Sequence, residues 1–172
     1  VILNGCENLV RGRSSVIDNG VQNSICGWWS AIGSGCQNVI CNLTEGGPTS
    51  VIFGGSKNVA TQVSNSIGGG CFNCLSCCSR ASVIIGGRLN KIETCCSFIG
   101  GGESNCILNT TDLEYFNTII GGKGNLITCQ RVQTILGGCS NKICTCSGYY
   151  NTIGGGNLNI ISCRGNGDII VT

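Results

Sequence analysis

A frame of eleven residues recurs ten times along the chain; its clearest copy is Asn117-Thr118-Ile119-Ile120-Gly121-Gly122-Lys123-Gly124-Asn125-Leu126-Ile127. Aligned on the second asparagine, the copies centre on Asn8, Asn23, Asn38, Asn58, Asn73, Asn90, Asn105, Asn125, Asn141 and Asn159. Counting from that asparagine as position 0, position −6 is isoleucine in every copy: Ile2, Ile17, Ile32, Ile52, Ile67, Ile84, Ile99, Ile119, Ile135 and Ile153. Position −3 is always glycine, from Gly5 to Gly156, and position +2 is always aliphatic, from Val10 to Ile161. Successive asparagines lie 15, 15, 20, 15, 17, 15, 20, 16 and 18 residues apart. A constant module with a variable connector describes one coil per repeat, with insertions confined to one edge.

Such a coil is too short for a helix pair or a propeller blade, and its β-branched residues favour short strands. We expect two strands per coil, one ending at the glycines and one starting at the asparagine. Coils stacked ~4.8 Å apart place identical residues above one another. Positions −6 and +2 then form inward ladders, and the asparagines an amide ladder at the corner. Each buried isoleucine contributes roughly 1.5–3 kcal/mol, so the ladders hold the stack without a globular core. The expected fold is all-β: a parallel β-solenoid (β-roll) of ten coils of 15–20 residues. A partial eleventh, Asp168-Ile169-Ile170-Val171-Thr172, follows; residues 1–172 form one domain, and both ends read as open.

Function is approached by exclusion. The paired glycines are followed by no helix signal and no Lys-Ser/Thr, which rules out a phosphate loop. Charged residues are 10% of the chain, against ~25% in ordinary soluble domains. The net charge is +2, and the absence of a basic stripe speaks against nucleic acid. No apolar run approaches the ~20 residues of a membrane span. With no histidine, neither a Ser/His/Asp nor a Cys/His arrangement is available. Among the carboxylates only Asp112 and Glu114 are close in sequence, and Glu93 and Glu103 are the acids that could meet from neighbouring repeats. No enzyme and no cofactor are expected. Thr118, Thr134 and Thr152 share position −7, but three rungs make a poor plane for ice.

Sixteen cysteines in 172 residues point to an oxidising environment. Their spacing is not that of zinc fingers, so no metal is expected; a thiolate cluster of Cys71, Cys74, Cys77 and Cys78 is the alternative. Ten fall in connectors: Cys26, Cys41, Cys77, Cys78, Cys95, Cys96, Cys129, Cys144, Cys146 and Cys163. Neighbouring coils bring equivalent Cα atoms within disulfide range. We therefore expect rung-to-rung staples: Cys26 with Cys41, Cys77 or Cys78 with Cys95 or Cys96, and Cys129, Cys144, Cys146 and Cys163 among themselves. Cys6, Cys36, Cys71 and Cys139 share position −2 in repeats that are not adjacent. They are either buried thiols or candidates for bonds between chains. The two longest connectors each carry an Asn-x-Ser/Thr sequon, at Asn42 and Asn109, which marks them as glycosylation candidates.

The runs Ser82-Val83-Ile84-Ile85-Gly86-Gly87 and Asn151-Thr152-Ile153-Gly154-Gly155-Gly156 resemble the head repeats of trimeric autotransporter adhesins. Similar repeats occur in viral fibre-like and giant-virus surface proteins. The resemblance implies a parallel β-roll serving adhesion, a fibre or a coat; the ever-present asparagine, the extra glycine and the cysteines depart from the adhesin pattern. The expected function is structural. The chain reads as a disulfide-stabilised subunit of an extracellular filament, fibre or virion surface layer, with itself as partner, packing end to end or side by side. The alternative is an adhesin-like binding module using Trp28, Trp29, Tyr115, Phe116, Tyr149 and Tyr150 on the connector edge.

Overall fold

In the computed structural model each coil contributes two short strands to two separate parallel sheets of ten strands each. The structure describes residues 1–41, 49–76, 79–108, 116–129, 132–145, 149–162 and 166–172. The leading sheet carries positions −7 and −6, in strands running from Val16–Ile17 through Val83–Ile84 to Ile169–Ile170. The trailing sheet carries positions +1 and +2 onward, from Leu9–Val10 through Lys91–Ile92 to Ile160–Ser162. Every strand pairs with its equivalent one coil away, in register: Val83 with Phe98 and Ile84 with Ile99, for example. A third parallel ladder runs through position −2, from Cys6 through Val21 and Cys36 to Asn157, where the chain turns between the sheets. The parallel β-solenoid expected from the repeat is the fold observed.

Two-residue strands suffice because they need supply only one inward side chain each. Successive residues of a strand face opposite ways, so position −7 faces out while −6 faces in, and +1 faces out while +2 faces in. The core is accordingly two facing columns, Ile17 to Ile153 from the leading sheet and Ile25 to Ile161 from the trailing one, with Ala60 and Leu75 the only other residue types. Ile2 departs from the expected ladder: it bridges to Ile17 but is 44% exposed, because a rung covers it on one side only.

The asparagines from Asn23 to Asn141 are buried, Asn8 and Asn159 at the end rungs only partly, and their amides act chiefly on backbone rather than on one another. The backbone N–H of Asn58 donates to Oδ1 of Asn38 at 3.0 Å, while Nδ2 of Asn58 donates to the carbonyl of Gly54 in its own coil (3.1 Å) and of Gly70 in the next (3.0 Å). The pattern repeats at Asn90, which serves Gly86, Gly102 and the N–H of Asn105. One side chain thus ties together three main-chain groups of two coils. The amide-to-amide contacts expected from sequence are present at some rungs, as from Asn125 Nδ2 to Asn105 Oδ1 at 3.1 Å, but supplement the backbone bonds.

A second polar ladder, unforeseen in this form, closes the opposite corner. Position −8 is Ser15, Ser30, Ser50, Asn65, Ser82, Ser97, Asn117, Gln133 and Asn151, all buried. Each side-chain oxygen accepts the backbone N–H of its equivalent one coil on. Ser97 N–H donates to Ser82 Oγ (3.1 Å), Gln133 N–H to Asn117 Oδ1 (2.9 Å), and Asp168 N–H to Asn151 Oδ1 (2.8 Å). Both buried columns therefore satisfy main-chain donors that a tight corner would otherwise leave unpaired.

The corners carry backbone strain. Position −1 lies in the left-handed region in all ten coils, and nine of these residues are not glycine. Position −9 does the same at Ser14, Trp29, Ser64, Ala81, Cys96, Val132 and Tyr150. Thr49 and Phe116 escape it, and they are the residues that follow the two longest connectors. Glycine at −3 is required twice over: φ at Gly87 is +88°, and a Cβ there would run into the carbonyl oxygen of Gly102. The left-handed conformation costs an L-residue about 1 kcal/mol, most for β-branched ones.

Two substitutions check this account by chemical denaturation. Asn90→Ala should lower stability by about 3 kcal/mol, because it orphans the N–H of Asn105 and two carbonyls. Val132→Asn, which relieves a β-branched residue at φ 55°, should raise it by roughly 1 kcal/mol.

Candidate functional site

Three outward surfaces carry the chemistry-bearing side chains. The first is the connector edge, just past the trailing sheet, where Cys26 and Cys41 occupy position +3 one rung apart. Cys26 N–H donates to Ile40 O at 2.8 Å and Cys41 N–H to Ala60 O at 3.0 Å, which continues the ladder beyond the strands. Burial pushes the Cys41 thiol up, and the charge and hydrogen bond of Cys26 add to the rise. Beside them Arg13 stacks over the Trp28 ring at 5.3 Å, and Trp29 is 60% exposed. Tyr149 and Tyr150 stand 6.4 Å apart at 47° on the same edge.

The second surface is the outer face of the trailing sheet. Lys91 pairs in register with Cys74 on one side and Cys106 on the other. Its ammonium is 2.7 Å from Glu93, which also accepts from Ser76 Oγ at 3.2 Å. The bond to Glu93 holds the Lys91 ammonium above the usual lysine range, against burial, with help from the Glu93, Cys74 and Cys106 charges. Burial raises the Cys106 thiol; Lys91 opposes the rise and Glu93 reinforces it.

The third surface is the glycine corner. Glu7, Gln22 and Gln37 link side chain to side chain up position −1 at 2.6 and 2.9 Å. Lys57 lies 5.1 Å over the Phe72 ring. Glu103 is shared between Arg88 at 3.6 Å and Lys123 at 3.3 Å on the flanking rungs. Glu93 and Glu103, the acids that could have met from neighbouring repeats, lie on different surfaces, each beside cations of its own.

The structure sorts the cysteines further. All eleven whose side chains are described stand as thiols. Cys6, Cys36 and Cys71 are separated along their ladder by Val21 and Ser56, as the repeat numbering requires. The buried alternative for position −2 is overturned: Cys6 and Cys139 are exposed and Cys36 and Cys71 half-buried, because −2 lies on the outer turn. Cys144 pairs with Thr128 and Ser162, and Cys129 with Thr145, so the register gives neither a cysteine as its direct partner. Cys77, Cys78, Cys146, Cys163, Asn42, Asn109 and Tyr115 lie outside the described residues, as does the side chain of Cys129. Among the described residues no group of three or more His, Cys, Asp or Glu could hold a metal ion. Nor is any helix among them long and apolar enough to cross a membrane. Thr118, Thr134 and Thr152 do stack in register, but Phe98 and Ile169 bound them.

Comparison with protein-family models and with curated proteins finds no match for the chain.

The raised thiols predict an order of alkylation at mildly alkaline pH: exposed Cys6 and Cys139 first, Cys41 and Cys106 later, as read by peptide mass spectrometry. The same shifts fix a pH trend. Lys91, Cys41 and Cys106 all bind protons more tightly when folded, so their contribution is complete below the unfolded pKa values and is lost as pH rises through the folded ones. The denaturation midpoint should fall from about pH 9 upward, first through the thiols and then through Lys91.

Proposed function

We propose that the chain is a non-catalytic structural subunit of an extracellular filament, fibre or virion surface layer, built by self-association and hardened by disulfides. The observation that carries this reading is the placement of Cys26 and Cys41, equivalent thiols at position +3 on adjacent rungs of the ladder. Oxidation would staple two coils with their Cα atoms at rung spacing, inside the span of a disulfide. Sixteen cysteines with so few charges suit an oxidising, load-bearing setting better than a reducing one. The rod itself, about 50 Å over ten rungs, offers regularly spaced strand faces suited to lateral or end-to-end packing. Glycans on Asn42 and Asn109 belong to the same reading.

The likeness to adhesin heads supports a second reading, a binding module of a cell or virus surface. The observation in its favour is the aromatic connector edge, where Trp29 and Tyr150 are 60% and 68% exposed. Exposed aromatics are common anchors of recognition. Assembly separates the two. Electron microscopy of native, unreduced material should show filaments or sheets with an axial repeat near the rod length if the structural reading holds. Discrete particles would contradict it and favour the binding module. Peptide mapping of the same material should recover Cys26 and Cys41 as one disulfide-linked pair.

A further inference from the structure

Three asparagines of the chain stand directly before a glycine: Asn4, Asn19 and Asn166. The fold itself creates two of these dipeptides. Position −3 must be glycine, since φ at Gly20 is +118° and a Cβ there would run into the carbonyl oxygen of Gly35. An asparagine at −4, as in the first two rungs, therefore always precedes a glycine. The backbone nitrogen that follows an asparagine can attack its side-chain Cγ, and glycine, with no Cβ, hinders that approach least. The attack needs nitrogen and Cγ held at roughly 3–3.5 Å, with the nitrogen not committed elsewhere.

The three sites differ in what holds them. Gly5 N–H donates to Oδ1 of Asn4 and Gly20 N–H to Oδ1 of Asn19, each at 2.7 Å. Each nitrogen thus touches the oxygen bonded to the carbon it would attack. Among the described residues these two N–H groups have no bond to a neighbouring coil, whereas the residues flanking Gly20 do. Asn19 N–H donates to Gly33 O at 3.1 Å and Val21 N–H to Gly35 O at 2.9 Å, which fixes the chain on both sides of the contact. Asn4 and Asn19 are exposed, so water reaches both. Asn166 is also exposed but is held otherwise. Its Oδ1 accepts from Tyr149 N–H at 2.9 Å, and Gly167 N–H donates to Tyr149 O at 2.8 Å. Nucleophile and electrophile there both face Tyr149 instead of each other.

We infer that Asn4 and Asn19 are sites of spontaneous deamidation in the folded protein, with water as the only co-reactant, and that Asn166 is shielded from it. The nitrogen of Gly20 bonds to Cγ of Asn19. The Cγ–Nδ2 bond breaks, and Nδ2 leaves as ammonia, carrying the proton that the glycine nitrogen gives up. Water then opens the cyclic imide: cleavage at Cγ yields aspartate, and cleavage at the main-chain carbonyl yields isoaspartate. Either way one amide becomes one carboxylate. The isoaspartate product also lengthens the main chain by a methylene just ahead of Gly20. The carbonyl of Gly20 accepts Cys6 N–H at 3.0 Å and Asn8 Nδ2 at 2.8 Å, two of the bonds that tie the first rung to the second. Isoaspartate at position 19 therefore loosens the first rung and leaves the rungs further along in place.

The test incubates the intact protein in reductant at mildly alkaline pH, native and in denaturant. Peptide mass spectrometry follows the three sites, with fragmentation that separates aspartate from isoaspartate. In the native protein Asn4 and Asn19 should convert at least about tenfold faster than Asn166, because only they hold the near-attack contact. In denaturant that difference is gone, and the three rates should converge. Asn19→Gln changes an exposed position that serine or glycine fills in later rungs, so the far-ultraviolet circular dichroism should be unaltered. It should keep conversion at Asn4 and lose it at position 19, where the ring to be closed is now larger. Native material enriched in isoaspartate at position 19 should exchange the Cys6 N–H faster and the Asn105 N–H unchanged. Four results would overturn the inference: native Asn166 converting as fast as Asn19, native Asn4 and Asn19 staying intact while the denatured chain converts, a native order that persists in denaturant, or unchanged exchange at Cys6.

Discussion

A coil of fifteen residues must reverse direction twice, and each reversal strands main-chain N–H groups that no strand partner can reach. Buried side-chain oxygens answer that demand, and everything else in the fold depends on them. At one corner the amide of each asparagine accepts from the next coil and donates to carbonyls of both its own coil and the next, as Asn90 does for Asn105, Gly86 and Gly102. At the other corner serine, asparagine and glutamine at position −8 accept one N–H each, as Ser82 does from Ser97. The isoleucine columns supply most of the driving force, but apolar burial is non-directional. The two polar columns set the register, because a coil displaced along the stack would leave a series of buried donors unpaired.

The same corners explain the glycines and the strain. To bring the position −3 carbonyl of one coil beneath the asparagine amide of the previous one, the backbone must pass where a Cβ would stand, and Gly87 illustrates the close approach. One residue before the asparagine, side chains as varied as those of Glu7, Gln22, Lys57, Phe72 and Leu89 take up a left-handed conformation that glycine would adopt with less strain. The side chains kept there are the ones that project from the corner: Lys57 over Phe72, and the Glu7–Gln22–Gln37 chain. Retaining side chains at a conformational cost is consistent with a surface whose projections matter.

Much of this was legible in the repeat, since identical residues at fixed spacing can stack only in register. The isoleucine columns, the buried asparagines and the parallel ladders followed from that. What did not follow has physical causes. The column at −8 mixes serine, asparagine and glutamine, residues that look like ordinary connector chemistry until their N–H partners are known. The separation of Glu93 from Glu103 depends on which side of the asparagine each falls: +3 follows the trailing strand, −2 lies on the glycine corner. Cysteine partnerships needed register as well as neighbouring coils. Cys26 and Cys41 share position +3, whereas Cys129 and Cys144 differ by one position, and the ladder pairs them with Thr145 and Thr128.

Because the polar columns are held to fix the stack, the most direct measurement is amide hydrogen exchange on the native protein. The N–H groups of Asn38, Asn58, Asn105 and Asn125 donate to side-chain oxygens one coil away, not to strand backbone. If those oxygens anchor the coils, these amides should be as protected as Ile84 and Ile99 in the leading sheet, exchanging only with global unfolding. Rapid exchange at the asparagines beside protected isoleucines would mean that the corners open freely, and that strand pairing alone holds the solenoid together.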